Sequence, residues 1–138
     1  TVDMDLFIRS DKDFPYMIPD LTTRSTHNVT IGLQSAGSQK PLAQVHAVDG
    51  TWRLWDSRSY VDSKTIIHYD VWNHLQLVVD TKANRYRLIV QPVGEMPTVV
   101  AEGACGDVKP GERLQLVIMP SATAGHISCY DNILVTSN

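Results

Sequence analysis

The run Trp72-Asn73-His74-Leu75-Gln76-Leu77-Val78-Val79-Asp80, followed by Thr81-Lys82-Ala83-Asn84 and then Arg85-Tyr86-Arg87-Leu88-Ile89-Val90-Gln91, decides the fold. Leu75, Leu77 and Val79 alternate with His74, Gln76 and Val78. Tyr86, Leu88 and Val90 alternate with Arg85, Arg87, Ile89 and Gln91. A period of two marks a strand with one buried face. The polar residues Asp80 to Asn84 between the two runs make the turn. The stretch therefore predicts an antiparallel hairpin with an apolar core face and a second face rich in His, Gln and Arg.

The same period extends in both directions. Val2, Met4, Leu6 and Ile8 alternate with Asp3 and Asp5, which read as a solvated face. Asn28 to Gln34 predicts a strand, closed by Ser35-Ala36-Gly37-Ser38. Pro41 to Val48 and Thr51 to Trp55 flank the hairpin signal Asp49-Gly50. Ala43, Val45 and Ala47 suit a core, and Leu42, Gln44, His46 and Val48 form a mixed opposite face. Trp52 and Leu54 oppose Arg53 and Trp55, and alternation alone leaves open which Trp is buried. Thr65 to Tyr69, Thr98 to Glu102, Arg113 to Met119 and His126 to Thr136 add further strands. Pro15 and Pro19 make Asp11 to Asp20 an irregular crossing or edge segment. About ten short strands joined by turns, with no helical period, predict an all-β sandwich or barrel.

A chain of 138 residues fits a single domain over 1–138 with a sizeable core. The net charge of −3 argues against a nucleic-acid partner, which would need a basic face. No apolar run approaches the roughly 18 residues of a membrane span. The chain starts at Thr1 and reads as a processed protein or a module of a larger one. Cys105 and Cys129 are too few for a disulfide framework or a zinc site. They read as two buried thiols, or as one disulfide in an oxidising compartment. Asn28-Val29-Thr30 fits the N-glycosylation pattern. The five histidines, at 27, 46, 68, 74 and 126, show no zinc spacing.

The central hairpin resembles one found in concanavalin A-like and laminin G-like sandwiches, which runs Trp-x-His-hydrophobic-x-hydrophobic-x-x-Asp, then Tyr-x-hydrophobic-x-Val. The ending Cys129-Tyr130-Asp131-Asn132-Ile133-Leu134-Val135 is similar to the aromatic-Asp-Asn-Ile-x-Val last strand of such modules. Val48-Asp49-Gly50-Thr51-Trp52-Arg53-Leu54-Trp55-Asp56 suits their preceding hairpin. The resemblance implies a two-sheet antiparallel jelly roll, with Trp72 packed structurally under a sheet edge. It also implies an extracellular or cell-surface setting. It does not choose among lectins, glycanases, lyases and protein-binding modules.

The residues speak against hydrolysis. Glycosidases use two carboxylates about 5 to 10 Å apart. The Glu-x-Asp-x-x-Glu strand of glycanases in this superfamily is missing, and Glu95, Glu102 and Glu112 fall in or near turns. No nucleophile elbow is present. Gln44-Val45-His46 is similar to the Gln-hydrophobic-His strand of alginate-lyase-like enzymes, which gives a small polysaccharide lyase as an alternative. There Gln would help neutralise a uronate carboxylate, and His46 would be a reasonable base. Arg24 is the lone candidate for that family's Arg-rich strand, and the ending lacks its Lys-Ala-Gly-x-Tyr pattern.

Sugar binding needs flat rings and planar polar groups. Trp55, Arg53 and Tyr60 offer them, with Trp52, Asp56 and Arg58 nearby in sequence. His74, Gln76 and Arg87 offer them on the polar face of the central hairpin. The expectation is a non-catalytic carbohydrate-binding or accessory module that holds a polysaccharide or braces a neighbouring catalytic domain. A laminin G-like protein-binding module is a further alternative. No cofactor is required. One structural calcium is the metal that the resemblance admits, with Asp131 and Asn132 as its candidate ligands.

Overall fold

The computed structural model describes residues 1–9, 27–48, 50–109, 111–120 and 128–137. Among these residues ten strands follow one another: β1 (Val2–Ile8), β2 (His27–Ser35), β3 (Pro41–Val48), β4 (Thr51–Trp55) and β5 (Tyr60–Ile66) form the first half. The second half contains β6 (Trp72–Asp80), β7 (Arg85–Pro92), β8 (Thr98–Ala104), β9 (Leu114–Pro120) and β10 (Ser128–Val135). Among the described residues there is no helix. The expected crossing at 11–20, Arg24, the side chain of Asn28 and the start of the last strand at His126 lie outside the described residues.

The strands form two five-stranded antiparallel sheets, ordered β10-β1-β6-β7-β8 and β5-β4-β3-β2-β9. The central hairpin stands as β6 and β7, in register from Asn73 opposite Pro92 to Asp80 opposite Arg85. Its apolar row goes inward: Leu75, Leu77, Tyr86, Leu88 and Val90 are buried. In the facing sheet Val29, Ile31, Val45, Ala47, Trp52 and Leu54 are buried in the same core. Ala43, Val45 and Ala47 are small, which lets large residues such as Trp52 and Tyr86 fill the space between the sheets.

Three expectations are corrected. The strand expected at Thr65 to Tyr69 lies earlier, as β5. Asp62, Ser63 and Lys64 hide it in the sequence, and Lys64 takes a left-handed φ of 60° that breaks the alternation. The chain then leaves the sheet, and Ile67 bonds back to the Gly50 carbonyl. Trp72 does not pack under the sheet edge. It is 40% exposed and rests on Phe7, with ring centroids 5.7 Å apart. The strand's own parity explains this, since Asn73 shares the inward side with Leu75 and Leu77. Asn73 is buried there, with its amide donating to the carbonyls of His68 and Val71. The cysteines are both free, and only Cys105 is buried. They follow or belong to strands at opposite edges of one sheet, four strand spacings of nearly 5 Å apart, so the chain cannot bridge them.

Strand β3 departs from a half-buried pattern. Every residue from Leu42 to Val48 is buried, including Gln44 and His46. It is the middle strand of its sheet, covered on the core face and crowded on the outer one.

Candidate functional site

Strand pairing sends Gln44, His46, Arg53, Trp55 and Tyr60 to the outer face of the second sheet. Val45 pairs with Leu54, both in the core, so their neighbours point outward. His46 stands opposite Arg53, and Arg53 opposite Asp62. Trp55 stands opposite Tyr60. Thr30 and Gly32 of β2 share this face, opposite His46 and Gln44.

These side chains touch. The Tyr60 hydroxyl donates to Gln44 Oε1 at 2.8 Å. The Tyr60 ring lies over His46, with centroids 3.8 Å apart, and meets Trp55 edge-on at 5.0 Å. Tyr60 is 38% exposed, whereas Gln44 and His46 beneath it are 7% and 6% exposed. Burial pushes the Tyr60 phenol above its usual range, so it stays protonated at neutral pH. Asp62 is held below the usual carboxylate range, first by the Lys64 backbone N–H and also by Thr51 and Arg53.

Two supports had no place in the sequence reading. Tyr86 rises from β7 through the core, and its hydroxyl donates to the carbonyl of Gln44 at 3.1 Å and to that of Trp55. It thus ties β3 to β4 from inside, behind the two residues whose side chains form the outer cluster. Its hydroxyl is held strongly in the protonated form by burial. A tyrosine within an apolar row was the available signal, because a buried phenol needs a partner. Gly32 is the other support. A Cβ there would stand 2.5 Å from the Ala43 carbonyl and 3.0 Å from Gln44 Cα and Cγ, so glycine is what lets the β3 backbone lie this close with Gln44 in place.

The six expected ligand-binding residues do not converge. His74, Gln76 and Arg87 lie on the outer face of the first sheet, on the other side of the sandwich from Trp55, Arg53 and Tyr60. His74 and Gln76 are engaged with the Asp3–Asp5 face. Gln76 donates to Asp3 Oδ1 at 2.9 Å, and His74 Nδ1 lies 2.9 Å from Asp5 Oδ1. Asn132 donates to the other Asp5 oxygen at 2.6 Å. The Asn132 hydrogen bond, then that of His74, hold the Asp5 carboxyl below its usual range. Asp3 and Asp5 therefore join three strands, which a merely solvated face would not do.

The calcium candidates sit in β10. Asp131 Oδ1 accepts the backbone N–H of Asn132, and Asn132 directs its amide to Asp5. Calcium takes six to eight oxygens. Among the described residues no group of three or more His, Cys, Asp and Glu side chains is placed to hold a metal ion. Asp131 and Asn132 do not make such a site by themselves.

Comparison of the chain with protein-family models, with curated proteins and with solved structures found no match.

Proposed function

We propose that this chain is a concanavalin A-like jelly-roll module that holds a glycan against the outer face of its second sheet, as part of a carbohydrate-active or cell-surface protein. The observation that carries the reading is the Trp55–Tyr60 pair. Two aromatic rings meet edge-on on one sheet face, with Tyr60 fastened to Gln44 and laid over His46. Such a pair offers flat apolar surface to the C–H faces of a sugar, and its order is fixed before the ligand arrives. Arg53 adds planar donors on the same face. Among the described residues no helix is long and apolar enough to cross a membrane.

The test is affinity electrophoresis and calorimetry on a panel of polysaccharides. Retardation on at least one of them is expected. Trp55→Ala and Tyr60→Ala should each weaken binding about tenfold or more, corresponding to ~1.4 kcal/mol. No retardation on any polysaccharide would remove the reading.

One observation favours a second reading, a polysaccharide lyase. The Tyr60 phenol touches both the Gln44 amide and the His46 imidazole, and these are groups an elimination from a uronate would use. The burial of His46 leaves little of its ring for a substrate, so the protonated Tyr60 phenol would serve as the acid that hands a proton to the leaving oxygen. Growth of ultraviolet absorbance from an unsaturated uronate, lost in Tyr60→Phe, would establish this chemistry over simple binding.

A further inference from the structure

Among the described residues the sandwich has four edge strands: β10 and β8 in the first sheet, β5 and β9 in the second. An open edge presents unpaired N–H and C=O groups, and proteins blunt such edges with bulges and charges. Three of the four are treated this way. The β5 edge has a register shift against β4, Lys64 at positive φ, and charges at Asp62 and Lys64. The β8 edge has a shift against β7 and carries Glu102. The β10 edge has a shift against β1, Asn132 at positive φ, and Asp131.

Strand β9 has neither a bulge nor a charge, and its one blunting residue, Pro120, stands at its end. It pairs with β2 over seven consecutive residues, from Leu114 opposite Ser35 to Pro120 opposite Val29, without a shift. Its sequence, Leu-Gln-Leu-Val-Ile-Met-Pro, has no charge. None of its residues is buried, although its β2 neighbours Val29, Ile31 and Leu33 are. Leu114 is 40% and Met119 47% exposed. A crevice of about 610 Å³ opens beside the strand, with Leu33, Leu114 and Leu116 on one wall and Asp80, Thr81 and Lys82 on another.

We infer that β9 pairs with β9 of a second copy, antiparallel about a two-fold axis at Val117. The strand is its own complement in this register. Leu114 meets Pro120, Gln115 meets Met119, Leu116 meets Ile118, and Val117 meets itself. Inward residues oppose inward ones, outward oppose outward, and no like charges face each other, which matters most for directly opposed pairs. The occupant is a second copy because a two-fold contact uses one patch twice and closes on itself. Pro120, with no N–H to donate, ends the pairing. The axis runs through the sheet, so both copies turn their Trp55–Tyr60 faces to the same side. Two glycan sites would then lie seven to nine strand spacings apart, roughly 35 to 45 Å. That last consequence rests on the proposed function, and the dimer does not.

Sedimentation equilibrium of the full chain tests the pairing, with a mass of two chains expected. Val117→Lys sets two ammonium groups against each other on the axis and should halve the mass while the melting transition and circular dichroism persist. In a second variant, Val117→Cys with Cys129→Ser, opposed residues lie within disulfide reach, and oxidation should give a covalent dimer on a non-reducing gel. This variant decides the matter if Val117→Lys does not fold. A chain that stays monomeric, open-ended assemblies in place of a closed dimer, or a folded Val117→Cys variant that does not cross-link would each overturn the inference.

Discussion

Tyr86 carries a double duty that its place in the sequence does not announce. Its ring fills the core, and its hydroxyl serves the carbonyls of Gln44 and Trp55. Replacing it with Phe leaves those carbonyls without that donor, which costs about 1–3 kcal/mol. Urea denaturation of Tyr86→Phe should therefore show a lower midpoint with an unchanged slope. Gly103 stands opposite Tyr86, and a Cβ there would come 3.0 Å from the Tyr86 ring. Gly103→Ala should destabilise by a comparable ~1–3 kcal/mol through overpacking. At this scale the sequence was partly legible. The inward rows of the central hairpin followed from alternation, and so did the outward side of Trp55 once Leu54 was known to be buried. The phenol's long reach was not legible, because its acceptors lie on other strands whose register no local pattern encodes.

Between elements, Asp5 is the joint of β1, β6 and β10. Its carboxylate takes hydrogen bonds from Asn132 and His74, and its folded pKa lies below the unfolded value. The sign follows from linkage. A depressed carboxylate pKa adds stability that is present above the unfolded value near 3.9 and is lost as pH falls through the folded one. Stability measured by denaturation should thus decline from about pH 5 downward, and Asp5→Asn should flatten that part of the curve. The site is largely open to solvent, so the effect is modest. Alternation puts Asp3 and Asp5 on one face of β1, and His74 and Gln76 on one face of β6. It does not show that β1 lies beside β6, which makes the two faces one. The same gap in knowledge placed His74, Gln76 and Arg87 with Trp55. Parity tells which side of its own strand a residue takes, but not to which sheet the strand belongs.

For the whole molecule, the two cysteines give a direct check on the strand order. Cys129 is exposed on β10, whereas Cys105 is buried and its thiol is pushed up by desolvation. A thiol reagent should titrate one group per folded chain and two in denaturant, and the reactive one should be absent in Cys129→Ser. Reductant should leave the melting temperature unchanged. A second global check is hydrogen exchange. Strand β3, central and buried throughout, should hold its amides longest, and the edge strand β5 should lose them early. The two-sheet architecture was the most legible part of the protein, since ten alternating runs leave few other ways to bury their apolar rows. The strand at Tyr60 escaped because polar residues and a left-handed lysine interrupt its period.

The position of β1 has a consequence in time. It is the first of the described strands, yet its sheet neighbours are β6 and the last of them, β10. During synthesis it must wait for both. At ordinary elongation rates the gap between the emergence of β1 and of β10 is on the order of 10 s. Through that interval Val2, Met4, Leu6 and Ile8 have only part of the surface they finally cover. The first sheet is thus completed only once Ser128–Val135 has emerged, and a nascent chain stalled before Ser128 would carry a half-dressed strand for chaperones to find.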